Sequence, residues 1–503
     1  VADRARAGLL RRCREGVIHR SGLSWIDPTT ITFRNEESSM KKTATCILMM
    51  ACLVWMSGAS AAWAKHGHGC PQKPNHWEYK GVNSVEAFAD IKHYKWELAA
   101  PPYGPMDKIA LHRMVREPRN DKMLPEQPAP DKRKVIFIIP GTWSVGYSPS
   151  SNPDESIALF LALNGYDVYG MDFRTSYVPN RAYHQFEALD IDIAPTGEWT
   201  YGLFREDIKA CVEKTKQISR ARKIFLGGIS RGVTQMWIYA SKYLDDVKGL
   251  IGMDGGGIKS APTANTKILA DMTPEEIGAA TQAYESALEE FQATGLLLAE
   301  ISGYEQGQFG AMVPYAETTV GFGTFDEAVA AYKAASPYPL PDPPAPVTSA
   351  IELSAYNYFW SWGQGIVSNV YTPYPGGNGE TYMNPETMNT SRANNTRYWP
   401  NVQNMETSTT FGGGGMALYD DCPFLDYDDH WQAIDVPVLS LNGELTCRGG
   451  CANTSVEYTL NNLATDDTTM IYLPGYGHLD VYYGTHSRED MKEPLLEWLN
   501  QKR

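Results

Sequence analysis

Basic residues are under-represented in this 503-residue chain: 44 Lys and Arg face 59 Asp and Glu, leaving a formal net charge of -15. That balance argues against nucleic acid or an anionic membrane surface as the partner, because either would need a positive face. The acidic excess is not gathered into a tail, so it reads as a solvated surface. Cysteine is scarce, with 8 in the whole chain, and no set of Cys and His shows the spacing of a zinc site. Neither a metal nor a cofactor is expected. Histidine is scarcer still beyond the midpoint, where only His430, His478 and His486 occur. With 43% hydrophobic residues, the chain can nevertheless bury a sizeable core.

One long apolar run stands out near the start. Met40-Lys-Lys is followed by a stretch reaching Met56 and then by Ala62-Trp63-Ala64. Two lysines, an apolar segment and a small-x-small exit make residues 40–64 a secretory signal peptide, with an uncleaved anchor as the competing reading. Translation is expected to begin at Met40, residues 1–39 being a start-site artefact. The mature chain would be Lys65–Arg503, periplasmic or secreted, with no integral membrane segment left after cleavage. Five cysteines would then remain: Cys70, Cys211, Cys422, Cys447 and Cys451. In an oxidising compartment they can pair, and Cys447 with Cys451 is the most local candidate.

The rest of the chain is organised around Lys223 to Trp237. Ile224–Leu226 reads as a buried strand, Gly228-Ile-Ser-Arg-Gly232 as a sharp turn, and Val233–Lys242 as a helix. A G-x-S-x-G turn between strand and helix is the setting of a nucleophile elbow. Side chains at Gly228 and Gly232 would collide with their neighbours, and Ser230 would stand clear of the sheet.

Around this turn, strands and helices alternate. Lys108–Val115, Lys134–Ile139, Tyr166–Asp172 and Val247–Met253 read as strands, and Ser156–Asn164 and Phe204–Ser219 as helices. The pattern implies an α/β fold with a mostly parallel central sheet flanked by helices. Residues 71–131 otherwise read as alternating, turn-rich segments. From 258 to 430 the rhythm stops. Thr273–Glu300 is helical in pattern, Ser336–Pro346 is proline-rich, Tyr356–Trp362 is aromatic and Gly412–Gly415 is a glycine run. It resumes with strands at Val436–Leu441 and Thr468–Leu473 and a helix over Arg488–Gln501. The division is therefore a core over 65–257 and 431–503, interrupted by an inserted cap over 258–430.

A serine hydroxyl needs a base to take its proton. His478 lies just past the last strand, where a loop can return the imidazole to Ser230. His430 belongs to the cap and His486 to the approach to the closing helix. Two donors should hold the oxyanion: the backbone N–H of Arg231, next after the serine, and that of Thr142, in the loop after Ile139.

From Asp107 onward, the cap excepted, the chain resembles the α/β-hydrolases, and among them the acid (gastric and lysosomal) lipases and related bacterial secreted esterases. The stretches that carry the resemblance are Asp107–Arg113, Leu161–Tyr169, Gly228–Gly232 and His478-Leu-Asp480. At the elbow this chain has Ile-Ser-Arg where those lipases usually have His-Ser-Gln. The resemblance implies cleavage of small-molecule or lipid-like esters by a serine triad under a cap. Amide or carbon–carbon bond hydrolysis, or a catalytically silent binding protein of the same fold, are the alternatives.

The triad acid has two candidates. The usual G-x-x-D spacing after the penultimate strand puts Thr446 where Asp is expected, with Glu444 two residues earlier. Asp254, at the end of the Val247–Met253 strand, resembles the acid of pancreatic lipase, one strand earlier. Asp254 is preferred, and Glu444 is carried as the alternative.

Overall fold

The computed structural model describes residues 76–85, 87–117, 124–129, 131–142, 144–147, 152–178, 194–258, 430–444, 451–474 and most of 476–502, with scattered positions in 273–286 and Gln403. The expected signal peptide, the residues before it, nearly all of the expected cap and Cys70, Cys422 and Cys447 lie outside the described residues, as does the side chain of Cys451. The one described free cysteine, Cys211, is buried.

The chain first lays down strands β1 (Glu78–Val85), β2 (Phe88–Ala99), β3 (Lys108–Arg116) and β4 (Val135–Ile139). Helix α1 (Ile157–Leu163), strand β5 (Asp167–Asp172) and helix α2 (Tyr201–Ser219) follow. The elbow joins β6 (Ile224–Ile229) to α3 (Arg231–Tyr243), and β7 (Val247–Met253) comes next. Beyond the cap lie β8 (Val438–Gly443), α4 (Cys451–Asn461), β9 (Thr468–Leu473), the short α5 (Asp480–Tyr483) and α6 (Glu493–Gln501).

These strands form one sheet in the order β1-β2-β3-β5-β4-β6-β7-β8-β9. The pairs from β5 through β9 are parallel, while β1, β2 and β3 join antiparallel at one side. Alternation sorts side chains onto two faces. Val135, Phe137 and Ile139 of β4 pack with Phe204, Ile208 and Val212 of α2 and Met236 and Trp237 of α3. Ile136 and Ile138 point the other way, toward Phe160 of α1 and Leu495 and Trp498 of α6. Burial on both faces is why β4 is an unbroken apolar run.

Local chemistry sets the element ends. Thr200 caps α2, its hydroxyl accepting from the Leu203 N–H, and Arg220 closes the helix in the left-handed region at φ 57°. The closing helix is not continuous as expected. Arg488–Lys492 is a π-helical turn, and the α-helix begins only at Glu493 with Pro494 in its first turn. β8 runs from Val438 instead of Val436, because Pro437 has no N–H to give the ladder while its carbonyl accepts from Leu250 N at 2.9 Å.

Two buried ion clusters tie the antiparallel side to the parallel side. Arg113 of β3 meets Asp167 of β5 through two hydrogen bonds of 2.7 and 2.9 Å, both residues fully buried. Arg174, after β5, reaches Asp207 of α2 by 2.6 and 2.7 Å bonds and Asp107 by a 2.6 Å bond. Within the 258–430 stretch, the buried Gln403 donates to Trp199 O and accepts from Gln235 of α3. Among the described residues no helix is long and apolar enough to cross a membrane.

Candidate active site

The elbow forms because α3 comes too close to β6 and to the end of β4 for side chains at its glycines. A Cβ on Gly228 would sit 2.3 Å from Gly232 O, and one on Gly232 would sit 2.4 Å from Ile139 O. Ser230 is left at φ 54°, ψ -122°, a conformation that L-residues rarely adopt. Its backbone N–H donates to Met253 O at 2.9 Å and to Tyr482 Oη at 3.1 Å. The strain is thus held by hydrogen bonds from β7 and α5.

His478 sits in the loop after β9, half-buried. Its Nε2 lies 2.7 Å from Ser230 Oγ, and its Nδ1 is hydrogen-bonded to Asp254 Oδ2. Asp254 is fully buried at the end of β7, at φ 48°. Its other oxygen, Oδ1, accepts the Gly443 N–H at 2.7 Å, and its own N–H donates to Leu441 O at 2.7 Å. Glu444 is exposed, with its backbone N–H on Leu473 O at 3.0 Å; the carboxylate brought to His478 is that of Asp254.

Of the two expected oxyanion donors, Arg231 follows the serine directly and Thr142 follows Gly141, which packs against it. Arg231 opens α3, whose amide dipoles point their positive end at Ser230. Gly141 approaches so closely that a Cβ there would lie 3.0 Å from both Ile229 O and Ser230 Cβ. Gly141 therefore lies directly against Ser230.

Sequence reasoning passed over Tyr482. Its buried hydroxyl donates to Met253 O at 2.6 Å while accepting from Ser230 N–H, and its ring meets the His478 ring edge-on at 5.9 Å between centroids. Burial, with Asp254 nearby, raises the phenol well above its ordinary pKa, so it stays neutral. Among the described residues no group of three or more His, Cys, Asp or Glu could hold a metal ion.

No protein-family model matches the sequence, and no curated protein matches it either. Solved structures do. A Sulfolobus solfataricus protein provisionally termed a lipase superposes with a TM-score of 0.54 at 24% identity, over 85% of this chain and 99% of that one. An epoxide hydrolase from Vigna radiata aligns over 83% of this chain and 100% of its own, at 12% identity and a TM-score of 0.35. With the sheet order and the strand–elbow–helix turn, the first of these likenesses gives the chain the α/β-hydrolase fold.

Proposed function

We propose that this protein is a serine hydrolase that cleaves carboxylic esters through an acyl-enzyme. The observation that carries the reading is the hydrogen-bonded chain Asp254–His478–Ser230, built on a serine in strained left-handed backbone. In this reading His478 Nε2 takes the Ser230 proton as Oγ attacks the ester carbonyl. Negative charge on the carbonyl oxygen is met by the N–H groups of Thr142 and Arg231. Asp254 fixes the imidazole with Nδ1 protonated and stabilises the imidazolium that forms. His478 then returns the proton to the leaving alcohol. A water molecule, deprotonated by the same nitrogen, releases the acid.

The lipase-like neighbour and the resemblance to acid lipases favour small-molecule or lipid-like esters as the substrate class. The apolar segment at residues 40–64 favours export, with the mature chain beginning at Lys65. A panel of p-nitrophenyl esters of increasing acyl length, read beside fluorophosphonate labelling, tests the activity. Labelling at Ser230 together with turnover is expected. A wild-type protein that neither labels nor turns over any ester would sink the reading in favour of a silent binding protein.

A further inference from the structure

Outside the triad, a second group of buried titratable side chains that touches the loop after β4 lies at the antiparallel side of the sheet. His93 of β2 and His112 of β3 are 5% and 6% exposed, and His93 Nε2 lies 2.8 Å from His112 Nδ1. They are diagonal neighbours, since His93 pairs with Met114 and Lys95 with His112. His112 Nε2 in turn lies 2.8 Å from Asp172 Oδ2, and Lys95 Nζ donates to that same oxygen at 3.2 Å. Asp172 is the last residue of β5 and is itself buried. Burial would raise its carboxyl, but His112, Lys95 and a backbone N–H outweigh this and hold it well below the usual carboxylate range. It is a fixed negative charge.

That backbone N–H belongs to Gly146, which donates to Asp172 Oδ1 at 2.9 Å. Gly146 sits on the loop that leaves β4 and passes Ser230. At this point the loop lies directly on β5: a Cβ on Gly146 would be 2.4 Å from Met171 N, and one on Gly170 would be 2.3 Å from Gly146 O. The next residue, Tyr147, stacks on His93 with centroids 3.7 Å apart and planes 5° from parallel. The loop is therefore held at both ends, by Gly141 against the nucleophile and by Gly146 and Tyr147 against the Asp172 group. Between the two holds lies Thr142.

We propose that Asp172 is a positioning residue for ester cleavage: by holding Gly146 it fixes the 140–147 loop, and so the Thr142 N–H, where the oxyanion develops. This rests on the ester reading above. A donor works only if it is already placed when charge appears, and removing one such donor costs about 10²–10³ in kcat. Loosening it should cost less. His112 and Lys95 act one step further back, holding the carboxylate in the rotamer that faces the loop, and His93 supplies the flat surface under Tyr147.

The test has two arms. Hydrogen exchange over residues 141–147 reads the anchoring without reference to any reaction, and steady-state kinetics on a p-nitrophenyl ester reads its consequence. Asp172→Ala should speed exchange in this segment and lower kcat by about 10–10², with KM changed by less than about threefold. Asp172→Asn keeps an acceptor for the Gly146 N–H and should recover at least about tenfold of that loss. Gly146→Ala leaves the buried charges intact and lifts the loop off Met171, so it should reproduce the kcat loss if Asp172→Ala does not fold. Unchanged exchange in both Asp172→Ala and Gly146→Ala would overturn the anchoring. Faster exchange with an undiminished kcat would overturn the positioning role, as would a loss confined to KM. Failure of the ester reading itself has a separate mark: Ser230→Ala would then turn over as fast as wild type, and the positioning role would fall with it.

Discussion

Asp254 reaches His478 across 224 residues of chain, and its second oxygen is occupied by the amide of Gly443 at the end of β8. Asp254 thus projects from β7 while β8 supplies a donor that orients it. Asp254→Asn keeps the shape and the Gly443 contact but favours the wrong tautomer of His478. Turnover should fall about 10⁴-fold with folding intact. Glu444→Gln, at an exposed position, should remain within about twofold of wild type. Parallel kinetics and circular dichroism check both, and a collapse in Glu444→Gln alone would reverse the assignment.

Ser230→Ala removes the nucleophile and should lower ester turnover by about 10⁵–10⁶, with fluorophosphonate labelling abolished. Retained labelling at another serine would place the chemistry elsewhere.

Gly232→Ala pushes a methyl group to within 2.4 Å of Ile139 O and 2.7 Å of Pro140 O. Backbone cannot yield as a flexible side chain can. A loss of about 1–3 kcal/mol in stability is expected, by the usual cost of overpacking, together with lost activity as α3 is pushed from the end of β4. Chemical denaturation measures the first, and a stability equal to wild type would show that the close approach is relaxed in solution.

His93 provides a pH prediction. Burial, then its neighbour His112, pushes its pKa down to about 3, against about 6.5 in an unfolded chain. Between those values the unfolded chain binds a proton that the folded one refuses. Stability therefore falls as pH drops through this window, by at most about 1.4 kcal/mol per pH unit from this group. His93→Phe keeps the stacking on Tyr147 and removes the titration. Its melting temperature should decline less steeply than that of wild type between about pH 6.5 and 3. Equal slopes would mean that His93 titrates normally.

Breaking the Arg113–Asp167 pair by Arg113→Met strands a fully buried carboxylate, and should cost about 3–5 kcal/mol. Adding Asp167→Leu should recover a large part of that loss, as thermal unfolding of the two variants would show.

The parallel half of this fold was legible in the sequence because its inner strands are buried on both faces, and the edge strand β9 still carries a β-branched and apolar run. Val247–Met253 and Thr468–Leu473 have the expected bounds, and the elbow stands where G-x-S-x-G put it. On the antiparallel side β3 was legible as Lys108–Val115, one residue short of its end, but β1 and β2 were not. β1 is an edge strand whose residues are nearly all exposed, and β2 alternates Lys and His with Tyr and Trp, so neither presents an apolar run. α4 was missed because its described inward positions are Ser455, Val456, Thr459 and Leu460, a mixed stripe without the expected apolar period. The acid could be narrowed to Asp254 or Glu444 but not decided from residues alone. The choice depends on which strand end faces the imidazole, a relationship between segments on either side of the cap. The Asp172 group was illegible for the same reason, being assembled from β2, β3, β5 and a loop.

The hydroxyl of Tyr482 gives the site a timetable. Ser230 is separated from Tyr482 by 252 residues and from His478 by 248, and both contacts are needed before the elbow has its base and its brace. Contacts so distant in sequence close late, because the intervening chain must first be ordered. A ribosome-bound or partly folded chain that already has β4, β6 and β7 in register would therefore hold an unbraced serine with no general base. Under the proposed ester reading, reactivity would arrive with the last segment to dock, and an incompletely folded molecule would have little capacity to attack esters.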